Sequence, residues 1–178
     1  DFSMAEALSA GIPEAILDYQ MNAQVKEPMG NRDDWYAPHG VYHCAGADRW
    51  VAIAVTNDAE WVSLCQLIKR PDLAGDPRYA DAASRKEDQD HLDAAITEWT
   101  MRHGDHEAMH LLQQAGVPSG PSQDILRVFN EPQLREAGYF TELHTNGGGL
   151  RDLPGLPWRL DGGPEPYLTE APVLGQHN

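Results

Sequence analysis

Apolar residues follow two periods along this chain, and the switches between them predict its elements. Between residues 4 and 22, Leu8, Ile12, Ala15, Ile16 and Tyr19 fall on one helical face. Pro13 interrupts the pattern, so the stretch reads as one kinked helix or as two short ones. Residues 25–38 lose the period, with Pro28, Gly30 and polar side chains, and read as a connector. Strands are then predicted near 40–45 and 49–55, joined into a hairpin by Ala45–Gly46–Ala47–Asp48. Asn57 followed by Glu60 is a capping-box pattern. It opens a helix that turns Trp61, Leu64, Cys65 and Ile68 inward and is expected to stop at Pro71. Residues 77–86 read as a polar connector with at most one helical turn. Leu92, Ala95, Ile96 and Trp99 predict an amphipathic helix over 88–102. Another, capped by Asp105, turns Ala108, Leu111, Leu112 and Ala115 inward and ends at Gly116.

Beyond Gly116, glycine and proline become frequent. Short helices are predicted near 122–128 and 131–137, and strands near 139–145 and 150–153. This segment is expected to lie extended against something else rather than to pack on itself. The pattern as a whole predicts the α+β class: a small antiparallel sheet packed by several helices, with extended Gly/Pro-rich arms. The organisation it implies is a linker helix region over 1–28, a small α+β domain over 29–138 and a C-terminal arm over 139–178.

Charge narrows the partners. The 178 residues carry 13 Lys and Arg against 28 Asp and Glu, a net charge of -15. That balance opposes nucleic acid, whose binding needs cations to replace counterions, and opposes an anionic membrane surface. The longest strongly apolar run, Val51–Val55, is far too short to span a bilayer. Cys44 and Cys65 sit in apolar patterns and read as buried thiols of a reducing, cytoplasmic compartment. Asp1 in place of an initiator Met, and a last stretch with no stop signal, lead to the expectation that both ends are cut.

Candidate chemistry is sparse. His106–Glu107–Ala108–Met109–His110 matches the H-E-x-x-H pattern of zinc peptidases, in which two His bind the metal and the Glu polarises water. With Ala108, Leu111, Leu112 and Ala115 inward, a helix points both His to solvent, so no metal site is expected there. His39 and His43 share a strand face but have no soft or acidic partners beside them in sequence. Gly147–Gly148–Gly149 lacks the Lys and Ser/Thr of a phosphate loop and reads as a turn. Ser119 has no evident base. The loop from Gly30 to Gly40 mixes Arg32, Asp33, Asp34, Trp35 and Tyr36, and reads equally as a binding loop and as a surface connector pinned by its aromatics.

An ordered set of motifs runs along nearly the whole chain: Gly30–Asn31, Ala37–Pro38–His39–Gly40–Val41–Tyr42, Trp50–Val51–Ala52–Ile53–Ala54, Pro71–Asp72–Leu73 and Asp76–Pro77–Arg78–Tyr79. Arg85, Ala115–Gly116–Val117–Pro118–Ser119–Gly120–Pro121, Glu131–Pro132–Gln133–Leu134 and Ala171–Pro172–Val173–Leu174–Gly175 continue it. The set resembles family III CoA-transferases, the group of formyl-CoA and carnitine CoA-transferases. The resemblance implies a longer protein, in which a Rossmann-like large domain precedes this region and two subunits interlock as a homodimer. It implies acyl-CoA and carboxylic acid substrates, with coenzyme A entering as a thioester substrate and no separate cofactor. The family's nucleophilic aspartate lies upstream of the matched region, so no catalytic residue is assigned here and the chain alone is expected to be inactive.

The family's glycine-rich loop, which closes over the reacting carbonyl, corresponds by position to Arg32–Ala37, where its glycines are absent. The substrate-binding set implied is Asn31, Arg32, Asp33, Trp35, Tyr36, Pro38, His39 and Tyr42, with Trp35 and Tyr36 shaping an acyl pocket. The alternatives are a non-catalytic interaction module of the same fold, a 2-methylacyl-CoA racemase-like enzyme and a zinc peptidase. The racemase reading needs an acid after the second strand. Asn57 stands near that place, with Asp58 and Glu60 close by.

Overall fold

The computed structural model describes residues 3–144, 149–155, 172 and 174–176. The chain forms two compact units, residues 1–122 and 123–178.

The first unit begins with α1 (Met4–Ser9) and α2 (Pro13–Asn22). Ser3 caps α1 through its side chain, and Pro13 is the first residue of α2. Proline suits that position because its missing N–H would be unpaired anyway. The stretch is therefore two helices, not one kinked one. Neither buries a residue.

Three strands form an antiparallel sheet in the order β1 (His39–His43), β2 (Trp50–Ala54), β3 (Ser119–Ser122). The hairpin is the one expected. β3 is not legible as a strand, because Ser119–Gly120–Pro121–Ser122 has no alternation of apolar and polar residues. It lies at the sheet edge, where Pro121 is tolerated. The register aligns Val41, Ala52 and Gly120 in one row across the three strands.

Strand alternation sends Tyr42, Val51 and Ile53 to one face, where they are buried together with Cys44 and Val55. That face packs on α3 (Asp58–Leu67), α6 (Gln89–Thr100) and α7 (Asp105–Gln114) through Leu64, Leu92, Ile96 and Leu112. Burying each such side chain contributes about 1.5–3 kcal/mol.

The helix ends refine the expectations. Asn57 caps α3, its side chain accepting from the Glu60 N–H at 3.0 Å. The Glu60 carboxylate reaches back to accept from the Thr56 N–H at 2.6 Å and from the Asn57 side-chain amide at 2.8 Å. Pro71 does not stop α3. The helix ends at Leu67, Lys69 adopts a left-handed φ of 59°, and Pro71 opens α4 (Pro71–Ala74). Residues 77–86 hold more helix than expected: a 3-10 turn at Pro77–Tyr79, then α5 (Ala82–Glu87). Asp76 caps the turn and Asp81 caps α5. For α7, Gly104 is the cap and Asp105 the first helical residue; Gly116, at φ 80°, follows its end.

The second unit holds α8 (Ile125–Phe129), α9 (Pro132–Glu136), β4 (Phe140–His144) and β5 (Leu150–Pro154). β4 and β5 pair with each other, Glu142 opposite Asp152, so this segment does pack on itself. Its hub is Arg135, whose guanidinium lies 4.5 Å from the Phe129 ring and 4.6 Å from the Phe140 ring. Arg135 also donates to the Phe129 carbonyl at 2.9 Å and pairs with Asp152. Gly147 and Gly148, and Ala171 and Val173, lie outside the described residues.

Candidate functional site

The loop between α2 and β1 is built by local turn chemistry. Gly30 has a φ of 67°, which favours glycine. The Asp33 carboxylate accepts from the backbone N–H groups of Trp35 at 2.7 Å and Tyr36 at 3.0 Å. This Asx turn directs both aromatics outward, and Trp35 is 78 % exposed. Ala37 and Pro38, joined by a cis peptide bond, are buried.

The helices after α4 hold this loop in place. Arg85 of α5 is 1 % exposed. Its guanidinium donates to the Ala37 carbonyl at 2.7 Å, the Tyr79 carbonyl at 3.1 Å and Asp58 at 2.9 Å. It also lies 5.4 Å from the Trp61 ring. A buried cation is tolerated only with partners of this kind. Lys86 donates to the Asp34 carbonyl, and Gln89 to that of His39 at 3.1 Å.

A polar cluster lies beside these contacts. Arg32 pairs with Asp90 and, at 3.1 Å, with Asp93. The hydrogen bond to Asp90 raises the Arg32 pKa above its ordinary value. Asp93 accepts from the Tyr42 hydroxyl at 2.8 Å. Burial, and then the Asp93 charge, push the Tyr42 pKa up strongly, so Tyr42 stays a neutral donor. His39 Nδ1 lies 2.7 Å from the Asn31 carbonyl. A carbonyl only accepts, so Nδ1 carries the hydrogen and neutral His39 keeps the Nε2 lone pair for another partner.

Between loop and sheet lies a cleft of about 420 Å³. Its floor is the sheet face opposite the core, with the Val41–Ala52–Gly120 row and Ala54. Asn31, Arg32 and His39 form one wall, and Pro118 and Ser119 the other. A second hollow of about 250 Å³ shares Asn31, Arg32 and His39 and adds Tyr42, Asp93 and Thr97. A small apolar floor with a few convergent polar groups suits a small ligand with an apolar body.

The structure thus brings together four of the eight residues singled out in the sequence. Asn31, Arg32 and His39 line the cleft, and Tyr42 lines the adjoining hollow. Asp33 builds the turn, Pro38 is buried beneath it, and Trp35 and Tyr36 line neither space. Sequence reasoning missed Ala52, Ala54, Gly120 and Ser119. Small residues carry no chemical signal by themselves. The Val117–Pro121 motif was visible, but its pairing with β2 was not.

Other candidate groups are occupied or inert. Burial pushes the Cys44 thiol up to about 11 and the Cys65 thiol up to about 12, so neither is an activated nucleophile. Asn57 and Glu60, invoked for the racemase alternative, are engaged in capping α3, and Asp58 is paired with Arg85. In α7, Ala108 and Leu112 are buried and His110 is exposed. Among the described residues, no group of three or more His, Cys, Asp or Glu is arranged to hold a metal ion. No described helix is long and apolar enough to cross a membrane.

Relatives frame this geometry. A probable CoA-transferase of Mycobacterium tuberculosis is 33% identical over 136 residues, which are 75% of this chain and 16% of that protein. The succinyl-CoA–D-citramalate CoA-transferase of Chloroflexus aurantiacus is 28% identical over 178 residues, covering 100% of this chain and 44% of its own length. A crystal structure of a CaiB/BaiF family protein from Brucella suis shares the fold, with a TM-score of 0.81 and 23% identity over 97% of this chain and 44% of that one. The chain therefore spans less than half the length of these proteins. The family model for CoA-transferase family III matches residues 1–178, and the chain belongs to that family.

Proposed function

We propose that this chain is the acyl-binding part of an enzyme that moves coenzyme A between acyl-CoA thioesters and carboxylic acids. The cleft between loop and sheet would hold the acyl group, and the reactive aspartate would lie outside these 178 residues. The observation that carries this reading is the cleft itself: about 420 Å³, a floor of small residues, and Asn31 and His39 on its wall. Neither cysteine offers an activated nucleophile, since both thiols are buried with raised pKa values.

The chemistry that membership of CoA-transferase family III suggests is covalent catalysis by a carboxylate. The aspartate attacks the acyl-CoA carbonyl and expels the CoA thiolate, leaving a mixed anhydride. The thiolate then attacks the aspartyl carbonyl, releasing the donor acid and leaving an aspartyl-CoA thioester. The acceptor carboxylate runs the same two steps in reverse, so no water or redox partner is consumed. The part played by this chain would be to seat the acyl group and keep water from the anhydride. The complete enzyme would work as a homodimer.

Relatives named for succinyl-CoA:mesaconate and acetyl-CoA:oxalate CoA-transferase activity support the general reaction, not the acids used here. The test is a CoA-exchange assay with a panel of acyl-CoA donors. It compares the 178-residue chain alone with a longer polypeptide that joins it to a family large domain. Transfer is expected only from the longer polypeptide. Transfer by the chain alone, or none from either, would count against the proposal.

A further inference from the structure

The cleft contains a guanidinium that is already spoken for. Arg32 lines it, yet Asp90 and Asp93 both pair with that side chain. One cation therefore faces two anions. The remaining charges around the loop do not restore a positive balance. Lys26 pairs with Asp34, and Lys86 donates to the Asp34 carbonyl, but Asp33 sits in the same turn as a further anion. His39 donates from Nδ1 to a carbonyl and, when neutral, offers only a lone pair at Nε2. An acyl group that ends in a second ionised carboxylate would meet four carboxylates (Asp33, Asp34, Asp90 and Asp93) against three cations (Arg32, Lys26 and Lys86), and the guanidinium that lines the cleft is already paired.

We propose that Asp90 and Asp93 are specificity-determining residues, which make the cleft select acyl groups without a second ionised carboxylate. This rests on the reading of the cleft as the acyl site. The substrate class is thus a short monocarboxylic acyl group with an apolar body lying over Val41 and Ala52. The effect is modest in size, because the cluster is open to solvent, with the Asp90 side chain 90 % exposed. Exposed charges act through a high effective dielectric and are weakened by salt.

The probes are the N-acetylcysteamine thioesters of butyrate and succinate, which share a four-carbon acyl chain and differ by one carboxylate. Each is titrated into the 178-residue chain at fixed ionic strength, and dissociation constants are read from backbone amide shifts at Asn31–Val41 and Ser119–Gly120. The butyryl thioester is expected to bind at least about threefold more tightly than the succinyl one, the scale of a screened charge interaction. The double variant Asp90→Asn/Asp93→Asn keeps an acceptor for the Tyr42 hydroxyl while freeing Arg32. It is expected to bring the ratio to one or reverse it. The single variant Asp90→Asn, at an exposed position, is expected to move it part of the way with the thermal midpoint unchanged.

Cleft shifts from both thioesters with succinyl bound as tightly as butyryl, or a ratio unchanged by the double variant, would overturn the selectivity and leave the acyl site standing. Absence of cleft shifts with either thioester would overturn both.

Discussion

α2 and α6 carry similar sequence patterns and meet different fates. Both present apolar residues at helical spacing. In α6, Leu92 is 0 % exposed and Ile96 is sealed against the sheet. In α2, Tyr19 is 61 % exposed, and Ile16 and Leu17 are exposed with it. The period of a sequence fixes which face of a helix is apolar; it does not say what covers that face. A ten-residue helix without tertiary packing is marginal in water. Within this chain, then, α6 belongs to the cooperative core that supports the cleft, and α2 does not.

The contrast is sharpest in stability. Leu92→Ala is expected to cost about 2–5 kcal/mol in urea unfolding, from lost burial and the cavity left behind. Ile16→Ala is expected to stay within about 0.5 kcal/mol, as for an exposed position. Equal losses at the two sites would break the comparison. Next in size is Arg85→Met, which strands the buried carbonyls of Ala37 and Tyr79. A loss of about 2–3 kcal/mol is expected, with faster amide exchange over residues 34–39 than in β2. Uniform acceleration across both segments would show that Arg85 serves the core at large rather than the loop.

Gly120→Val separates fold from cleft. A Cβ at Gly120 meets nothing within 4 Å, so the thermal midpoint is expected to hold while the cleft floor is filled. Butyryl thioester shifts at Asn31 and His39 should then vanish, and their persistence would move the ligand elsewhere. The smallest effect is that of pH on the α5 cap. Hydrogen bonds from Ser84 hold the Asp81 carboxyl below its ordinary value of 3.8. Its folded-state pKa is depressed, so the cap is fully present above the ordinary value and fades as pH falls through the lowered one. A carboxyl-carbon NMR titration of Asp81 should show a midpoint below 3.8, and an unshifted midpoint would remove this contribution.

Much of the fold was legible where local patterns decide it. The β1–β2 hairpin follows from alternation, and the Asn57 cap and the inward faces of α3, α6 and α7 follow from spacing and side-chain chemistry. Two failures, at β3 and at Arg85, share a cause: contacts between residues distant in sequence. β3 exists because β2 offers an edge to a segment with no strand pattern of its own. Arg85 looked like part of a polar connector, yet it is buried because Ala37, 48 residues earlier, supplies a carbonyl.

The site divides the same way. Asn31, Arg32, His39 and Tyr42 stood out by residue type, whereas the cleft floor is made of small residues that pairing alone brings together. Trp35 and Tyr36 stood out most by size, and a local turn at Asp33 directs them away.

The central claim is that this chain seats the acyl group while another segment supplies the nucleophile. Peptide mass mapping tests it most directly, on a polypeptide joining this chain to a family large domain and trapped during turnover with an acyl-CoA. The covalent CoA or acyl adduct is expected on an aspartate outside these 178 residues. An adduct on any residue between Asp1 and Asn178 would contradict the account.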